Sequence, residues 1–324
     1  MKPKILITRA VFPDVVDRLS VHFDVESNPA DIIFSEAELI EKLQGKDGLF
    51  ANPADRISAA LIQSCPNLKA VCNMAVGYNN VDAAAATAAG IMVTNTPDVL
   101  NETTADFGWA LLMATARRVT ESEHFLRAGK WEKWTYNGFL GADIHGATLG
   151  VIGMGRIGQA IARRSMGFDM KVVYHNRTRL SPELEAHANH AQYMSREDVL
   201  RNADHVMLVL PYSAAVHHFI AAAELAMMKP TATLINIARG GIVDDAALIA
   251  ALKQGQIAAA GLDVFENEPA FNTDFLQLTN VVLTPHIASA SEPTRRAMAD
   301  CAANNLIAAL SGKTPPNLLN SDVL

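Results

Sequence analysis

Short apolar runs of strand length alternate with amphipathic, helix-periodic segments along the first hundred residues of the chain. Such alternation is typical of a parallel sheet with helices packed on both faces. The predicted strands are residues 4–8, 24–26, 48–51, 68–74 and 91–94, and the predicted helices are residues 13–22, 36–43, 58–64 and 81–89.

The same alternation resumes after Ala147 and predicts a second sheet. Between the two halves, Asn101 is positioned to cap one long helix over residues 101–129. A last helix, residues 292–310, comes too late to serve the second sheet, so we expect it to pack back on the first domain. The strands of the second half are residues 149–152, 171–174, 205–210, 233–237, 260–264 and 281–284, and its helices are residues 197–201, 222–228 and 245–253.

Composition narrows the class of protein. Half of the 324 residues are hydrophobic, and the net charge of −7 gives no electrostatic footprint for nucleic acid. No apolar run reaches the roughly 18 residues that span a bilayer, and the first residues predict a strand rather than a signal peptide. Three scattered cysteines indicate neither a disulfide framework nor a metal site. We expect a cytoplasmic protein with no bound metal and no membrane contact.

A glycine-rich turn joins a strand to a helix in the sequence Thr148-Leu-Gly-Val-Ile-Gly-Met-Gly-Arg-Ile-Gly. Gly153 permits the tight turn, Gly155 lets the backbone approach a pyrophosphate, and Gly158 lets the helix pack against the strand. The free N–H groups of the first helical turn then face the phosphates. This context favours dinucleotide binding over an ordinary structural turn.

Three polar residues follow predicted strands of the second half, where ligands of open α/β sheets bind. Arg239 could fork onto a carboxylate, His286 could give a proton to a carbonyl oxygen, and Glu268 could favour the protonated imidazole. Taken singly, each could instead be a turn cap, a loop residue or a solvated charge. Together they favour catalysis, whereas the other histidines, His217 and His218 among them, are interpreted as surface or turn residues.

The chain resembles the D-isomer-specific 2-hydroxyacid dehydrogenases from its first strand to its last helix, and within them most closely the glyoxylate/hydroxypyruvate reductases. Together with the alternation, the resemblance predicts an α/β fold of two Rossmann-like or flavodoxin-like, doubly wound parallel-sheet domains separated by a cleft. Residues 1–99 with 288–324 would form the substrate-binding domain, and residues 100–287 the dinucleotide-binding domain. The matching segments are the glycine-rich turn, Asn236-Ile-Ala-Arg-Gly-Gly, Gly261-Leu-Asp-Val-Phe-Glu-Asn-Glu-Pro and Thr284-Pro-His-Ile-Ala-Ser.

The resemblance also implies roles for individual residues. It makes Arg239 the substrate-binding arginine, His286 the acid/base histidine and Glu268 its partner. The backbone N–H groups of Val76 and Gly77 would bind the substrate carboxylate. The remaining matches are cofactor contacts: Arg156 and Ile157 in the pyrophosphate turn, Thr104 in the long helix, and Asp263 at the nicotinamide carboxamide.

One departure from the family pattern bears on the choice of cofactor. The second strand of the nucleotide-binding half is followed by Asn176-Arg177-Thr178-Arg179, where NAD-preferring relatives place an aspartate. With no carboxylate for the ribose hydroxyls, and with two arginines for a 2′-phosphate, NADPH is favoured over NADH. The alternative is that Asn176 still serves NAD and that the arginines are solvated.

The leading hypothesis is therefore an NADPH-dependent reductase that converts glyoxylate, hydroxypyruvate or 2-ketogluconate to D-2-hydroxyacids. The alternative is a nucleotide-sensing, non-catalytic binding protein on the same fold, similar to related corepressors. The resemblance implies a homodimer with residues 101–118 in its interface. Trp131, Trp134 and Tyr136 either line the substrate pocket or form a structural aromatic cluster.

Overall fold

In the computed structural model, which describes Met1–Leu324, the chain divides into two compact units. Unit 1 comprises Met1–Leu100 and Ala290–Leu324, and unit 2 comprises Asn101–Ser289. The breaks predicted from the sequence lie at residues 99/100 and 287/288. Each unit contains a fully parallel β-sheet with helices, which confirms the predicted fold class.

Unit 1 contains five short strands and five helices. They are β1 (Lys4–Ile7), α1 (Pro13–His22), β2 (Asp24–Glu26), α2 (Glu36–Lys42), β3 (Gly48–Ala51), α3 (Ala59–Ser64), β4 (Ala70–Asn73), α4 (Ala83–Ala88), β5 (Met92–Thr94) and α12 (Glu292–Leu310). The strand order is β2-β1-β3-β4-β5. Strands β3 and β4 are buried along their whole length, as the inner strands of a covered parallel sheet must be. Helix α12 packs on this sheet, since a Cβ at Gly48 would lie 2.9 Å from Leu306 and 2.8 Å from Leu310.

Unit 2 contains seven strands and seven helices. They are α5 (Asn101–Ala116), α6 (Val119–Arg127), β6 (Thr148–Ile152), α7 (Arg156–Arg164), β7 (Lys171–His175), α8 (Pro182–His187), β8 (Gln192–Tyr193), α9 (Arg196–Asn202), β9 (His205–Leu208), α10 (Ala222–Leu225), β10 (Thr233–Asn236), α11 (Asp245–Lys253), β11 (Ala259–Leu262) and β12 (Val281–Leu283).

The sheet of unit 2 has the order β12-β11-β10-β9-β6-β7-β8. From β6 the chain first builds towards β8, then returns to the other side of β6 and builds from β9 to β12. The carboxyl ends of β6 and β9 therefore flank the point where the strand order reverses, which is where open α/β sheets bind their ligands. Helix α5 packs closely on this sheet, because a Cβ at Gly261 would lie 2.5 Å from Thr115 Oγ1 and 2.9 Å from Leu111.

The single long helix predicted over residues 101–129 is wrong, because the structure has two helices there. Arg118 has a φ of 54° and separates α5 from α6. The chain returns beside this break, where Ala142 donates its N–H to the carbonyl of Ala116 at 2.9 Å. The approach requires a glycine next to it, since a Cβ at Gly141 would lie 2.3 Å from the same carbonyl. A contact between segments so distant in sequence leaves no trace in hydrophobic periodicity.

Three smaller differences concern the ends and number of elements. Asn101 is the first residue of α5 rather than its cap. Helix α8 and the short strand β8 were absent from the predicted elements, although Ser181 caps α8 by accepting a hydrogen bond from the Leu184 N–H at 3.4 Å. None of the helices combines the length and apolar character needed to cross a membrane.

Candidate active site

The glycine-rich turn joins β6 to α7 with the conformation that a dinucleotide site requires. Gly153 has a φ of 101°, and a Cβ there would lie 2.6 Å from the Leu210 nitrogen. A Cβ at Gly158 would lie 2.3 Å from the Gly153 carbonyl oxygen. A Cβ at Gly155, in contrast, would meet no atom within 4 Å. The protein's own packing thus explains two glycines, while the third keeps open the space that a pyrophosphate would occupy.

Two further features of unit 2 fit a bound dinucleotide. Arg156 and Ile157 form the first turn of α7, whose N–H groups are suited to phosphate oxygens. The Thr104 hydroxyl in α5 is buried and has no hydrogen-bond partner in the protein. Buried polar groups are nearly always hydrogen-bonded, so this hydroxyl is available to a ligand, in keeping with the contact predicted for Thr104.

The polar side chains of the segment after β7 differ in their contacts within the protein. Asn176 Oδ1 accepts a hydrogen bond from the Met154 N–H at 2.7 Å and so ties this segment to the glycine-rich turn. Arg177 and Thr178 are exposed, and Arg177 has no ion pair or hydrogen bond within the protein. Arg179 forks onto Glu185 with distances of 2.8 and 2.9 Å.

One of the two arginines predicted to be available for a 2′-phosphate, Arg179, is thus paired with Glu185 in the structure. The Arg179 hydrogen bonds, followed by one from the Tyr174 hydroxyl at 2.7 Å, lower the pKa of Glu185 to about 2. Glu185 is therefore ionised at neutral pH and forms an ion pair with the exposed Arg179. Only Arg177 keeps an unengaged guanidinium in this segment.

The predicted catalytic residues lie after three neighbouring strands. Arg239 follows β10, Glu268 follows β11 and His286 follows β12, and these strands are adjacent in the sheet. His286 Nδ1 and Glu268 Oε2 are 2.8 Å apart. The Phe265 N–H donates to Glu268 Oε1 at 2.8 Å, so both oxygens of this carboxylate are engaged. Because Glu268 occupies Nδ1, the other ring nitrogen of His286 is left for proton transfer.

Electrostatics in this group favour an ionised Glu268. Burial alone would raise the pKa of Glu268, but the hydrogen bond and charge of His286, with smaller contributions from the Phe265 N–H and Arg239, lower it below its ordinary value. Burial lowers the pKa of the Arg239 guanidinium, and the charge of Glu268 opposes that shift. Arginine starts from so high a pKa that Arg239 remains cationic. The group therefore combines a fixed cation with a carboxylate-bound imidazole.

Asp263 organises the segment that carries His286. Its side chain is fully buried. Oδ1 accepts hydrogen bonds from the Thr284 hydroxyl at 2.7 Å and the Ile287 N–H at 2.8 Å, and Oδ2 accepts one from the Ala288 N–H at 2.9 Å. The His286 N–H in turn donates to the Asp263 carbonyl at 2.9 Å. The resemblance implies a nicotinamide contact for Asp263, and nothing in the sequence indicates this role in holding the histidine, whose φ is 54°.

In unit 1, the loop after β4 presents two free N–H groups. The carbonyl of Val76 accepts a hydrogen bond from Asn95 Nδ2 at 2.9 Å, and the carbonyl of Gly77 accepts one from Asn73 Nδ2 at 2.9 Å. The N–H groups of Val76 and Gly77 have no partner in the protein, which suits them to an anion. Asn80 braces the same loop, since its Nδ2 donates to the Asp55 carbonyl at 3.0 Å.

These asparagines were not identified from the sequence. Their only signal was position, because Asn73 ends β4 and Asn95 directly follows β5, where polar residues of an α/β sheet collect at its functional edge. The aromatic residues Trp131, Trp134 and Tyr136 are 61%, 74% and 87% exposed. Trp134 and Tyr136 contact each other edge to face, with ring centroids 6.4 Å apart.

Comparison with known proteins finds a matching family model and relatives that align along the whole chain. Residues 109–288 match the family model for the D-isomer specific 2-hydroxyacid dehydrogenase, NAD binding domain. The glyoxylate reductases of Thermococcus gammatolerans and Pyrococcus furiosus are 48% and 46% identical to this chain; each match covers 100% of it and 98% and 97% of the relative. A solved NADPH-dependent glyoxylate/hydroxypyruvate reductase from Sinorhizobium meliloti, in complex with NADP and malonate, has a TM-score of 0.88 at 35% identity and covers 100% of this chain and 98% of that chain.

The fold and the nucleotide-binding turn define an oxidoreductase that uses a nicotinamide nucleotide. The chain belongs to the D-isomer-specific 2-hydroxyacid dehydrogenase family. The resemblance stated from the sequence is thereby confirmed.

Proposed function

We propose that this protein is an NADPH-dependent reductase that converts small 2-oxoacids, foremost glyoxylate and hydroxypyruvate, to D-2-hydroxyacids. The observation that carries the proposal is the 2.8 Å contact between His286 Nδ1 and Glu268, next to the strand that delivers Arg239. This arrangement provides a proton donor for a carbonyl oxygen and a cation for a carboxylate. The names of the relatives support the substrate class.

In this proposal the chain's own residues bind, orient and protonate the substrate. Within unit 2, Arg239 offers directed donors to the substrate carboxylate, and within unit 1 the N–H groups of Val76 and Gly77 offer donors to an anion. Glu268 keeps the imidazole of His286 oriented, and His286 gives its proton to the carbonyl oxygen as charge develops there. The bound nicotinamide cofactor supplies the hydride for the carbonyl carbon.

We assign the cofactor to unit 2. The turn of Gly153, Gly155 and Gly158, with Arg156 and Ile157, would hold the pyrophosphate. Thr104 and Asp263 are further proposed contacts, and the segment of Asn176, Arg177 and Thr178 would hold the adenine ribose. NADPH is preferred in this proposal because Asn176 brings no negative charge and Arg177 is free to pair with a 2′-phosphate.

A substrate panel tests the proposal. The purified protein is assayed with glyoxylate, hydroxypyruvate, pyruvate and 2-ketogluconate, each with NADPH and with NADH. We expect the highest kcat/KM for glyoxylate or hydroxypyruvate with NADPH. Absence of turnover with all four acids would refute reduction of 2-oxoacids, and equal use of the two cofactors would refute only the NADPH preference.

We also propose that the protein is a homodimer. Four large side chains between α6 and β6 are exposed by 61–87%, namely Trp131, Trp134, Tyr136 and Leu140. Exposed apolar groups clustered in one segment mark interaction surfaces. Members of the family are usually homodimers, so a second copy of this chain is the expected partner. Sedimentation of the wild type as a monomer at micromolar concentration would contradict the dimer.

A further inference from the structure

Two consecutive histidines and a glutamate meet outside the proposed catalytic group. His217 and His218 follow the short turn Ala214–Val216 after β9, and Glu266 follows β11. One ligand atom from each of the three side chains lies within 4.8 Å of the other two. The sequence showed no metal-ligand spacing here, because Glu266 becomes a neighbour of the histidines only through the sheet order.

The backbone at His218 places both imidazoles on one side. Consecutive side chains of an extended segment point in opposite directions. Here His218 has a φ of 52°, in the left-handed region, and the two rings stack with centroids 3.9 Å apart and 23° between their planes. A positive φ is uncommon for a residue other than glycine, so this pairing of the rings is a specific feature of the loop.

Each imidazole already has a partner on its Nδ1 side. The Tyr212 hydroxyl is 3.2 Å from His217 Nδ1, and Asp244 Oδ2 is 3.8 Å from His218 Nδ1. The His218 Nε2 atom faces Glu266 Oε1 at 2.5 Å. Histidines that bind metal ions almost always hydrogen-bond through their second ring nitrogen, which fixes the orientation and tautomer of the ring. Tyr212 makes this contact with His217, whereas Asp244 lies beyond hydrogen-bond distance of His218.

Acidic side chains surround the two histidines. Asp244, Asp245 and Glu266 bring three carboxyl groups to two imidazoles, and the Glu266 N–H donates to Asp245 Oδ2 at 3.1 Å. A cation would relieve this crowding of negative charge. Imidazole nitrogens with one carboxylate suit Zn²⁺ and neighbouring transition metals rather than Mg²⁺ or Ca²⁺.

We propose that His217, His218 and Glu266 form a binding site for a divalent transition-metal ion, with Zn²⁺ as the preferred ion. The metal replaces the proton shared between His218 and Glu266 and draws in the exposed ring of His217. Ligand bonds of about 2.0–2.2 Å require the three donor atoms to come closer than they are now. A side-chain rotation at the exposed His217 provides that movement.

The location gives such a metal a structural consequence. The His218 N–H donates to the Gly241 carbonyl at 2.7 Å, so the histidine loop already contacts the segment after Arg239. Glu266 lies on the segment that carries Glu268. A bound ion would therefore link the segments after β9 and β11, and the first of these already contacts the segment after β10. Because the ion binds only the folded arrangement, it should raise the unfolding temperature.

Zn²⁺ titration of the metal-free, full-length protein tests the proposal. We expect one site by calorimetry, with affinity reduced more than tenfold in His217→Gln and Glu266→Gln. The variant Tyr212→Phe leaves all three ligands in place but removes a partner of His217, so it should lose roughly tenfold. The matched control His187→Gln changes an exposed histidine on α8 and should bind as the wild type does. Circular dichroism of each metal-free variant verifies folding.

Three results would overturn the proposal. The first is no Zn²⁺ binding by the wild type, and the second is equal affinity in the wild type and in folded His217→Gln. The third is a thiolate charge-transfer band after Co²⁺ substitution, because it would assign the metal to a cysteine instead. A rise in unfolding temperature with Zn²⁺ in the wild type, and none in His217→Gln, would support the site independently of reductase activity.

Discussion

The His286 segment (residues 284–288) and the Asn176 segment (residues 176–179) both carry proposed chemistry, but they are built differently. Three hydrogen bonds to the buried carboxylate of Asp263 hold the first. The second is held by the hydrogen bond from the Met154 N–H to Asn176 and by the pairing of Arg179 with Glu185, and its residues 177–179 are exposed. A buried carboxylate fixes the backbone of the segment that carries the proposed proton donor. The exposed charges after a strand, in contrast, can be replaced with little effect on the fold.

The largest effect is expected at His286. We predict that His286→Asn lowers kcat for glyoxylate by roughly 10²–10⁴-fold, because general acid catalysis contributes about that much. NADPH affinity, measured by fluorescence titration, should stay close to that of the wild type. The control His187→Asn alters an exposed histidine and should keep full activity. A kcat within a few-fold of wild type in His286→Asn would remove this histidine from the mechanism.

Asp263→Asn tests the support beneath that histidine. An amide keeps one acceptor oxygen but turns an NH₂ group towards a buried N–H or hydroxyl, which leaves donors unpaired and costs about 1–3 kcal/mol. We expect lower stability in urea and a reduced kcat. The reciprocal control Asn176→Asp keeps an oxygen for the Met154 N–H and should change stability by less than about 0.5 kcal/mol. If both variants were equally stable, the contrast between the two segments would be wrong.

Cofactor choice should respond at the exposed segment. Loss of one charge-assisted hydrogen bond, roughly 1.5–3 kcal/mol, should lower kcat/KM for NADPH by about tenfold or more in Arg177→Ala. Adding Asn176→Asp should reverse the preference towards NADH. Arg179→Ala is the matched control, because Arg179 is already paired with Glu185. Equal losses of NADPH use in Arg177→Ala and Arg179→Ala would contradict the assignment to Arg177.

The smallest effect is a shift of the pH profile in Glu268→Gln. Glu268 has a lowered pKa and is therefore ionised throughout the neutral range in the wild type. Glutamine can still accept a hydrogen bond from His286 but has no charge to stabilise the imidazolium. The loss of activity on the alkaline side of the pH profile should then begin at a lower pH than in the wild type, by about one pH unit. An unchanged profile, recorded as kcat/KM for glyoxylate, would argue against the pairing.

The sequence predicted the layout better than the contacts. Alternation of strands and helices was sufficient for the fold class, and the helices Asp245–Lys253 and Glu292–Leu310 have the predicted bounds. The end of α5 was missed because its cause is the returning chain at Ala142. The pairing of Arg179 with Glu185 was missed because several charged residues surround this turn in the sequence, and only the folded turn decides which of them pair.

In the candidate site, too, the sequence predicted the residues better than their contacts. Motifs identified His286 and Glu268, whose 2.8 Å contact the structure provides. Nothing in the sequence distinguished Asp263 as the residue that holds the His286 segment, because a buried acceptor and a ligand-binding acceptor have the same side chain. The cluster of His217, His218 and Glu266 was likewise hidden, since the strand order alone makes these loops neighbours.

The discontinuity of unit 1 has a consequence for biosynthesis. Its first hundred residues depend on the end of the chain: Asn305 donates to the Asn95 carbonyl at 3.0 Å, and Leu319 donates to the Val93 carbonyl at 2.8 Å. A ribosome delivers the chain from its N-terminus, so unit 2 can complete its core while the first sheet still lacks α12. Until α12 arrives, the apolar surface around Gly48 is uncovered, so we expect this stage of synthesis to be the one most prone to aggregation.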